Sequence, residues 1–247
     1  MVVIYSIEGN IGSGKSTLVD ILKQYYDNTS KDIVFVPEPV DVWNTIKDTN
    51  GETILSKFYG NLEKYAFSFQ MMAYISRISL LRKTIREHPE AIIITERSVF
   101  TDMNVFAKML YDDNKIEEIN YQIYLRWFDE FVQELPICNI IYVSASPEIC
   151  YSRVLKRNRV GEQISLEYLQ NCDTYHNNWI SNNNTNVLRL NANENLNPIY
   201  QDYEKWVTII NKFITYNNTQ SSNTQSSNTN TSINDFELHK DICSNGC

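Results

Sequence analysis

The stretch Gly9-Asn10-Ile11-Gly12-Ser13-Gly14-Lys15-Ser16 constrains this chain more than any other. It is entered from VVIYSI (residues 2–7) and left through Thr17 into a helical pattern, so GxxxxGK[ST] sits in the strand-loop-helix context the motif requires. Its glycines let backbone N–H groups turn inward around phosphate oxygens, and the helix start adds the positive end of its dipole. Lys15 is expected to neutralise β- and γ-phosphate oxygens, and the Ser16 hydroxyl to ligate Mg²⁺. The loop predicts binding of a nucleoside triphosphate and is silent on what receives the phosphate.

Five β-branched runs follow one another: VVIYSI (2–7), IVFVP (33–37), AIIIT (91–95), NIIYVSA (139–145) and VLRLN (187–191). Helical patterns lie between them, beginning with Leu18, Val19, Ile21, Leu22, Tyr25 and Tyr26 on a 3.6-residue period. Continuous apolar strands separated by helices predict an α/β fold, a five-stranded parallel sheet flanked by helices. At 247 residues with 43% hydrophobic content, one large domain over 1–216 is expected. Every residue from Asn217 to Ser232 is Asn, Thr, Gln or Ser, so 217–247 reads as a disordered tail with little apolar area to offset chain entropy.

The balance of 22 Lys and Arg against 30 Asp and Glu, net charge -8, argues against a nucleic-acid polymer as partner. Five cysteines without CxxC or zinc-ligand spacing point to a reducing compartment. With neither a signal-peptide pattern nor a membrane-length apolar run, the expectation is a cytoplasmic protein with no membrane partner.

The chemistry opposite the phosphate is written at strand ends. Ligands of open parallel sheets gather beyond the carboxyl ends of strands, which puts Glu38, in the Pro37-Glu38-Pro39 turn, where a carboxylate could take the proton of an attacking hydroxyl. Glu96, at the end of the third run, is placed to hold Mg²⁺, and Arg97 to reach the phosphate or the acceptor oxygen. Arg153, Arg157 and Arg159, in CYSRVLKRNRVGE, read as a lid that closes over transferring phosphates.

IEGNIGSGKST, EPV with the following Trp43, FYGNLEKYAFSFQ, SRI, ERSV, RNRVGEQ and LEYL, in this order, resemble the deoxyribonucleoside kinases, in particular the deoxycytidine and deoxyguanosine kinase branch. The resemblance runs from about Val3 to Thr215. It implies a P-loop kinase fold with an arginine-bearing lid, a homodimer, Mg²⁺, and transfer of the ATP γ-phosphate to the 5′-hydroxyl of a small-molecule deoxynucleoside. By it, Glu38 matches the general base, Arg97 the arginine near the 5′-hydroxyl, and Tyr59 with Glu162 the pair on the sugar 3′-hydroxyl. Trp43, Phe69 and Phe106 match the walls around the base, and Glu194, Asn195 and Leu196 the loop against the donor adenine. Departures from the family pattern are Met103-Asn104 where Arg-Tyr is frequent, Gly161-Glu162 where two acids are frequent, and Asn195-Leu196 in place of Asp-Phe.

Gln70, Ala73 and Arg77 recur at i, i+3 and i+7, so one helix face presents all three to a pocket. A Gln amide, with an acceptor and two donors, pairs with several bases, whereas an Arg in an apolar wall demands a counter-charge. Asp102 is the expected partner, and the resemblance aligns Arg77 and Asp102 with the pair in the deoxycytidine and purine branch. Deoxyguanosine, deoxyadenosine or deoxycytidine is therefore expected ahead of thymidine. Two rivals share the loop. A deoxynucleoside monophosphate kinase would need more cations at the acceptor and would find Glu38 repulsive. A P-loop switch protein would have no use for the aromatic, Gln, Arg and Asp set.

Overall fold

The computed structural model describes residues 2–27, 29, 32–136, 138–159, 161–182, 186–194 and 201–224, the side chains of 201, 202 and 220–224 excepted. Strands β1 (Val3–Glu8), β2 (Ile33–Val36), β3 (Ile92–Glu96), β4 (Cys138–Ser144) and β5 (Val187–Asn191) are all parallel, in the order β2-β3-β1-β4-β5. Each falls within a residue of its apolar run. Ile4, Tyr5 and Ile7 of β1, Ile93 and Ile94 of β3 and Ile141 of β4 are buried, as expected of strands covered on both faces. Each such isoleucine contributes roughly 1.5–3 kcal/mol.

The helices are α1 (Lys15–Tyr26), α2 (Val40–Thr45), α3 (Ile54–Gly60), α4 (Leu62–Glu87), α5 (Val99–Thr101), α6 (Lys108–Asp112), α7 (Glu118–Val132), α8 (Pro147–Arg157), α9 (Leu166–Ser181) and α10 (Gln201–Thr224); a π-helical segment, Asp102–Ala107, joins α5 to α6. Several starts are set by side chains that accept the N–H three residues on. Thr53 does so from Ser56, Asn61 from Lys64, Ser146 from Ile149 and Ser165 from Tyr168. Each cap is worth about 1 kcal/mol.

The strand order positions the site. From β1 the chain moves to one side for β2 and β3, then crosses to the other for β4 and β5, so its direction reverses beside the carboxyl end of β1. A crevice opens at such a point. The long helix α4 lies along one of its walls. One side of α4 meets Trp43, Phe58 and Met109 through Phe69 and Ala73, while another buries Tyr74 and Ile78 against Tyr124 and Phe128.

The composition places the end of the ordered domain at residue 216. Helix α10 instead continues to Thr224, into the Asn/Thr/Gln/Ser-rich segment. Extending an existing helix needs no new nucleus, which composition alone does not register. Residues 225–247 of the expected tail lie outside the described residues. No helix among the described residues is long and apolar enough to cross a membrane.

Candidate active site

The glycine loop is held in place by close packing. A Cβ on Gly9, at φ 142, would overlap the Val143 carbonyl oxygen, and one on Gly12, at φ 82, would lie 2.5 Å from the carbonyl oxygen of Cys150. Both positions have left-handed backbone that glycine adopts readily. The loop is thereby clamped against β4 and α8. Residues 11–17 line a cleft of about 790 Å³. Gly9 and Asn10, expected with them, stand behind its wall: the Gly9 carbonyl accepts from Arg97 Nη1 at 2.9 Å, and Asn10 Nδ2 donates to the Leu169 carbonyl at 2.8 Å. Lys15 Nζ donates to the Asn10 carbonyl at 2.7 Å. Burial and then the nearby Arg97 charge lower the Lys15 ammonium to about 7, against the pull of Glu96 and Glu38. Triphosphate oxygens would restore its charge.

Opposite the loop, the strand-end residues converge. Ser16 Oγ donates to Glu96 Oε1 at 2.6 Å. Arg97 has a left-handed backbone, φ 62, rare for a side chain of its size. Its N–H donates to the Ile7 carbonyl at 3.0 Å, its Nε lies 3.3 Å from Glu38 Oε1, and its guanidinium sits 5.0 Å from the centre of the Phe106 ring. Those contacts hold the strained turn. The Glu38 side chain keeps 22% of its surface exposed, facing the cleft. Burial works to raise its carboxyl, but Arg97, Arg77 and Lys15 outweigh it and hold it below the usual carboxylate range.

Further in, Gln70, Ala73 and Arg77 are all buried on α4 and all line the cleft, as their spacing predicts. Arg77 Nε donates to Asp102 Oδ2 at 2.8 Å and Nη2 to Oδ1 at 3.4 Å. The expected pair is present. Gln70 Oε1 is buried without a hydrogen-bond donor, on a residue that lines the cleft. Phe69 stacks on Phe58 with ring centres 4.5 Å apart and meets the edge of Trp43 at 5.3 Å, and Trp43 Nε1 donates to Ser76 Oγ at 2.9 Å. The π-helical segment's wider turn brings Asp102 and Phe106 to the cleft together.

The arginine cluster divides its work. Arg153 donates to the carbonyls of Ser13, Ala192 and Glu194 at 3.2, 2.9 and 3.2 Å, tying the glycine loop to the turn after β5. Arg157 Nη2 pairs with Glu162 Oε2 at 2.6 Å, and Arg159 lines the mouth. Tyr59 and Glu162 line the same cleft; burial and then the Glu162 charge push the Tyr59 hydroxyl up. Asn195 and Leu196 lie outside the described residues, and Glu194 meets the site through its carbonyl. Sequence reasoning missed Phe58, Tyr168, Tyr203 and Trp206, which also line the cleft. Tyr203 and Trp206 recur at i and i+3 on α10 with ring centres 5.7 Å apart, a spacing visible in the sequence.

Residues 5–215 match the family model described as deoxynucleoside kinase. Human deoxycytidine kinase is 34% identical over 241 residues, covering 85% of this chain and 90% of that protein. The mouse deoxycytidine kinase is 37% identical over 196 residues, 71% of this chain and 74% of its own. The mitochondrial deoxyguanosine kinase of Xenopus laevis is 30% identical over 201 residues, 74% of each.

Proposed function

This chain belongs to the deoxynucleoside kinase family and phosphorylates deoxynucleosides with ATP as donor, and from that premise we propose its preference, site roles and assembly. It serves nucleotide salvage, with deoxyguanosine, deoxyadenosine or deoxycytidine taken ahead of thymidine. The observation that supports this preference is the buried Arg77–Asp102 pair beside the unpartnered Gln70 acceptor. An orphan acceptor costs about 1–3 kcal/mol, which an N–H of a bound base would recover. Arg77 and Asp102 supply donor and acceptor to the base edge, and crowd a thymine methyl.

Glu38 is the general base for the 5′-hydroxyl, with Arg97 beside the reacting oxygen. A neutral alcohol becomes acidic only as its bond to phosphorus forms, so a positioned carboxylate has a task here. Trp43, Phe69 and Phe106 enclose the base, while Tyr59 and Glu162 hold the sugar. The loop N–H groups, Lys15, Arg153, Arg157 and Arg159 face the triphosphate. Tyr203 and Trp206 offer the donor base an aromatic face.

Ser16 and Glu96, oxygen ligands within hydrogen-bond distance of each other, fit Mg²⁺, which takes few protein ligands and completes its shell with phosphates and water. Bound there, the ion would neutralise charge on the transferring phosphoryl group. No cluster of three or more His, Cys, Asp or Glu suited to a metal occurs among the described residues.

The test is turnover of Mg-ATP with a panel of deoxynucleosides and their 5′-monophosphates. Phosphorylation of the purine deoxynucleosides and deoxycytidine well above thymidine is expected. Turnover of monophosphates alone would sink the reading, because their charge would have to sit against Glu38.

A homodimer in the cytoplasm completes the proposal. Ile119, Ile123 and Trp127 form an exposed stripe at i, i+4 and i+8 on α7. Ile75 of α4 is also exposed, and its neighbour Tyr74 joins α4 to α7 through a hydroxyl that donates to the Trp127 carbonyl at 3.0 Å. Such an apolar face favours a partner. Ile123→Glu with Trp127→Glu should halve the mass seen by light scattering; an unchanged mass would remove α7 from the interface. Cys138, Cys150 and Cys172 are buried free thiols, in keeping with a reducing compartment.

A further inference from the structure

We propose that Arg77 positions Glu38 for proton transfer in addition to meeting the nucleobase, so that substrate reading and general base share one guanidinium. This rests on the reading of Glu38 as the base. The guanidinium is a planar fork of five N–H donors in fixed directions, and each of its three nitrogens has a partner. Its Nε meets Asp102 Oδ2 at 2.8 Å, Nη1 meets the Glu96 carbonyl at 2.9 Å, and Nη2 meets Glu38 Oε1 at 3.1 Å. Asp102 and the Glu96 carbonyl therefore set the direction in which Nη2 points.

Arg97 approaches the same carboxylate oxygen, Oε1, at 3.3 Å. Two guanidinium groups on one oxygen leave Oε2 as the oxygen presented to an acceptor hydroxyl. The two arginines differ in what steadies them. Arg97 is held by backbone, through its own N–H and the Gly9 carbonyl, whereas Arg77 is held by Asp102, the residue assigned to the base edge. A base that engages Arg77 and Asp102 thus acts on the group that orients Oε2. A base that fits them poorly should lose kcat as well as affinity.

The titratable groups around Glu38 are Lys15 from α1, Tyr59 from α3, Arg77 from α4, Arg97 after β3, and Asp102 from the π-helical segment, through Arg77. Opposite charges at this range lower a carboxyl by about 1–3 pH units. Removing the Arg77 charge leaves Arg97 and Lys15, so Glu38 should titrate higher but below a fully buried acid. Removing the Asp102 charge acts with the opposite sign, because a like charge is lost and the fork's full charge falls on Glu38.

The experiment is a carbon-13 carboxyl titration of Glu38 in the ligand-free protein, assigned through the signal lost in Glu38→Gln, together with the pH profile of kcat/KM. Arg77→Gln should raise the Glu38 midpoint by about one pH unit, and the acid limb of kcat/KM should move with it. Arg77→Lys should recover part of the shift, and Asp102→Asn should move the midpoint down. Should Arg77→Gln fail to fold with Asp102 left unpaired, Arg77→Gln/Asp102→Asn keeps the upward sign, Arg77 being the nearer charge. A midpoint moved by less than about 0.3 unit, roughly a twofold change in protonation, overturns the positioning role in an otherwise active enzyme. Wild-type protein that phosphorylates no deoxynucleoside overturns the general-base reading beneath it.

Discussion

Glu38→Gln is expected to lower kcat on deoxynucleosides by about 10²–10⁴-fold while ATP binding stays near wild type. The substitution preserves shape and keeps an amide oxygen that accepts from Arg77 and Arg97, but removes the ability to take a proton. Neither arginine is stranded. Arg77 keeps Asp102 at 2.8 Å and the Glu96 carbonyl at 2.9 Å, and Arg97 keeps the Gly9 carbonyl at 2.9 Å. The triphosphate loop is anchored elsewhere, through Gly12 against Cys150 and Asn10 against Leu169. Loss should therefore fall on turnover. Steady-state kinetics on deoxycytidine and deoxyguanosine, beside equilibrium binding of a non-hydrolysable ATP analogue, separates the two quantities. A variant retaining more than about a tenth of wild-type kcat would remove Glu38 from the role, since general-base contributions start near a hundredfold.

As the proposed base, the same carboxylate is expected to set the acid limb of the wild-type pH profile, because a base must be ionised to take the proton. Arg97, Arg77 and Lys15 together hold its folded value below the ordinary range despite burial. Activity should accordingly persist below the pH at which a free glutamate protonates, and fall only as pH drops through the lowered value.

How far the site was legible depends on whether its constraints are local. The strands announce themselves because burial on both faces demands runs such as AIIIT, and the glycine loop because only a few residue types tolerate its backbone. The face of α4 bearing Gln70, Ala73 and Arg77 follows from helical periodicity. What periodicity does not reach is a contact between elements. Glu38 and Arg77 lie on a loop and a helix far apart in sequence, and nothing in either stretch declares their 3.1 Å approach. The motif likewise governs backbone rather than every side chain, so Asn10 sits within it yet turns to Leu169. The left-handed Arg97 and the π-helical turn from Asp102 are set by the packing around them. Composition was the weakest guide at the chain's far end, where helix α10 runs to Thr224 through residues poor in apolar surface.

Arg77→Met combined with Asp102→Ala should raise the ratio of kcat/KM for thymidine over deoxycytidine by about 10–200-fold, the range a pocket earns from one methyl group. The pair is buried, Arg77 at 4% and Asp102 at 2% exposure, so the two changes belong together. Arg77→Met alone would leave a carboxylate buried without its counter-charge, at a cost of about 3–5 kcal/mol. Replacing both with apolar groups removes that penalty, and the double variant should melt above Arg77→Met. Its pocket exchanges a charged fork for a flexible thioether and a small methyl, widening the space beside the pyrimidine 5-position. Gln70 remains, and its amide pairs with thymine as readily as with cytosine, so the proposed discrimination falls to Arg77 and Asp102. Arg97 and Lys15 still act to lower the Glu38 carboxyl, which keeps phosphoryl transfer in reach of the new substrate. Competition assays with both nucleosides present read the ratio directly. A ratio within about threefold of wild type, under 1 kcal/mol, would place base selection on residues other than this pair.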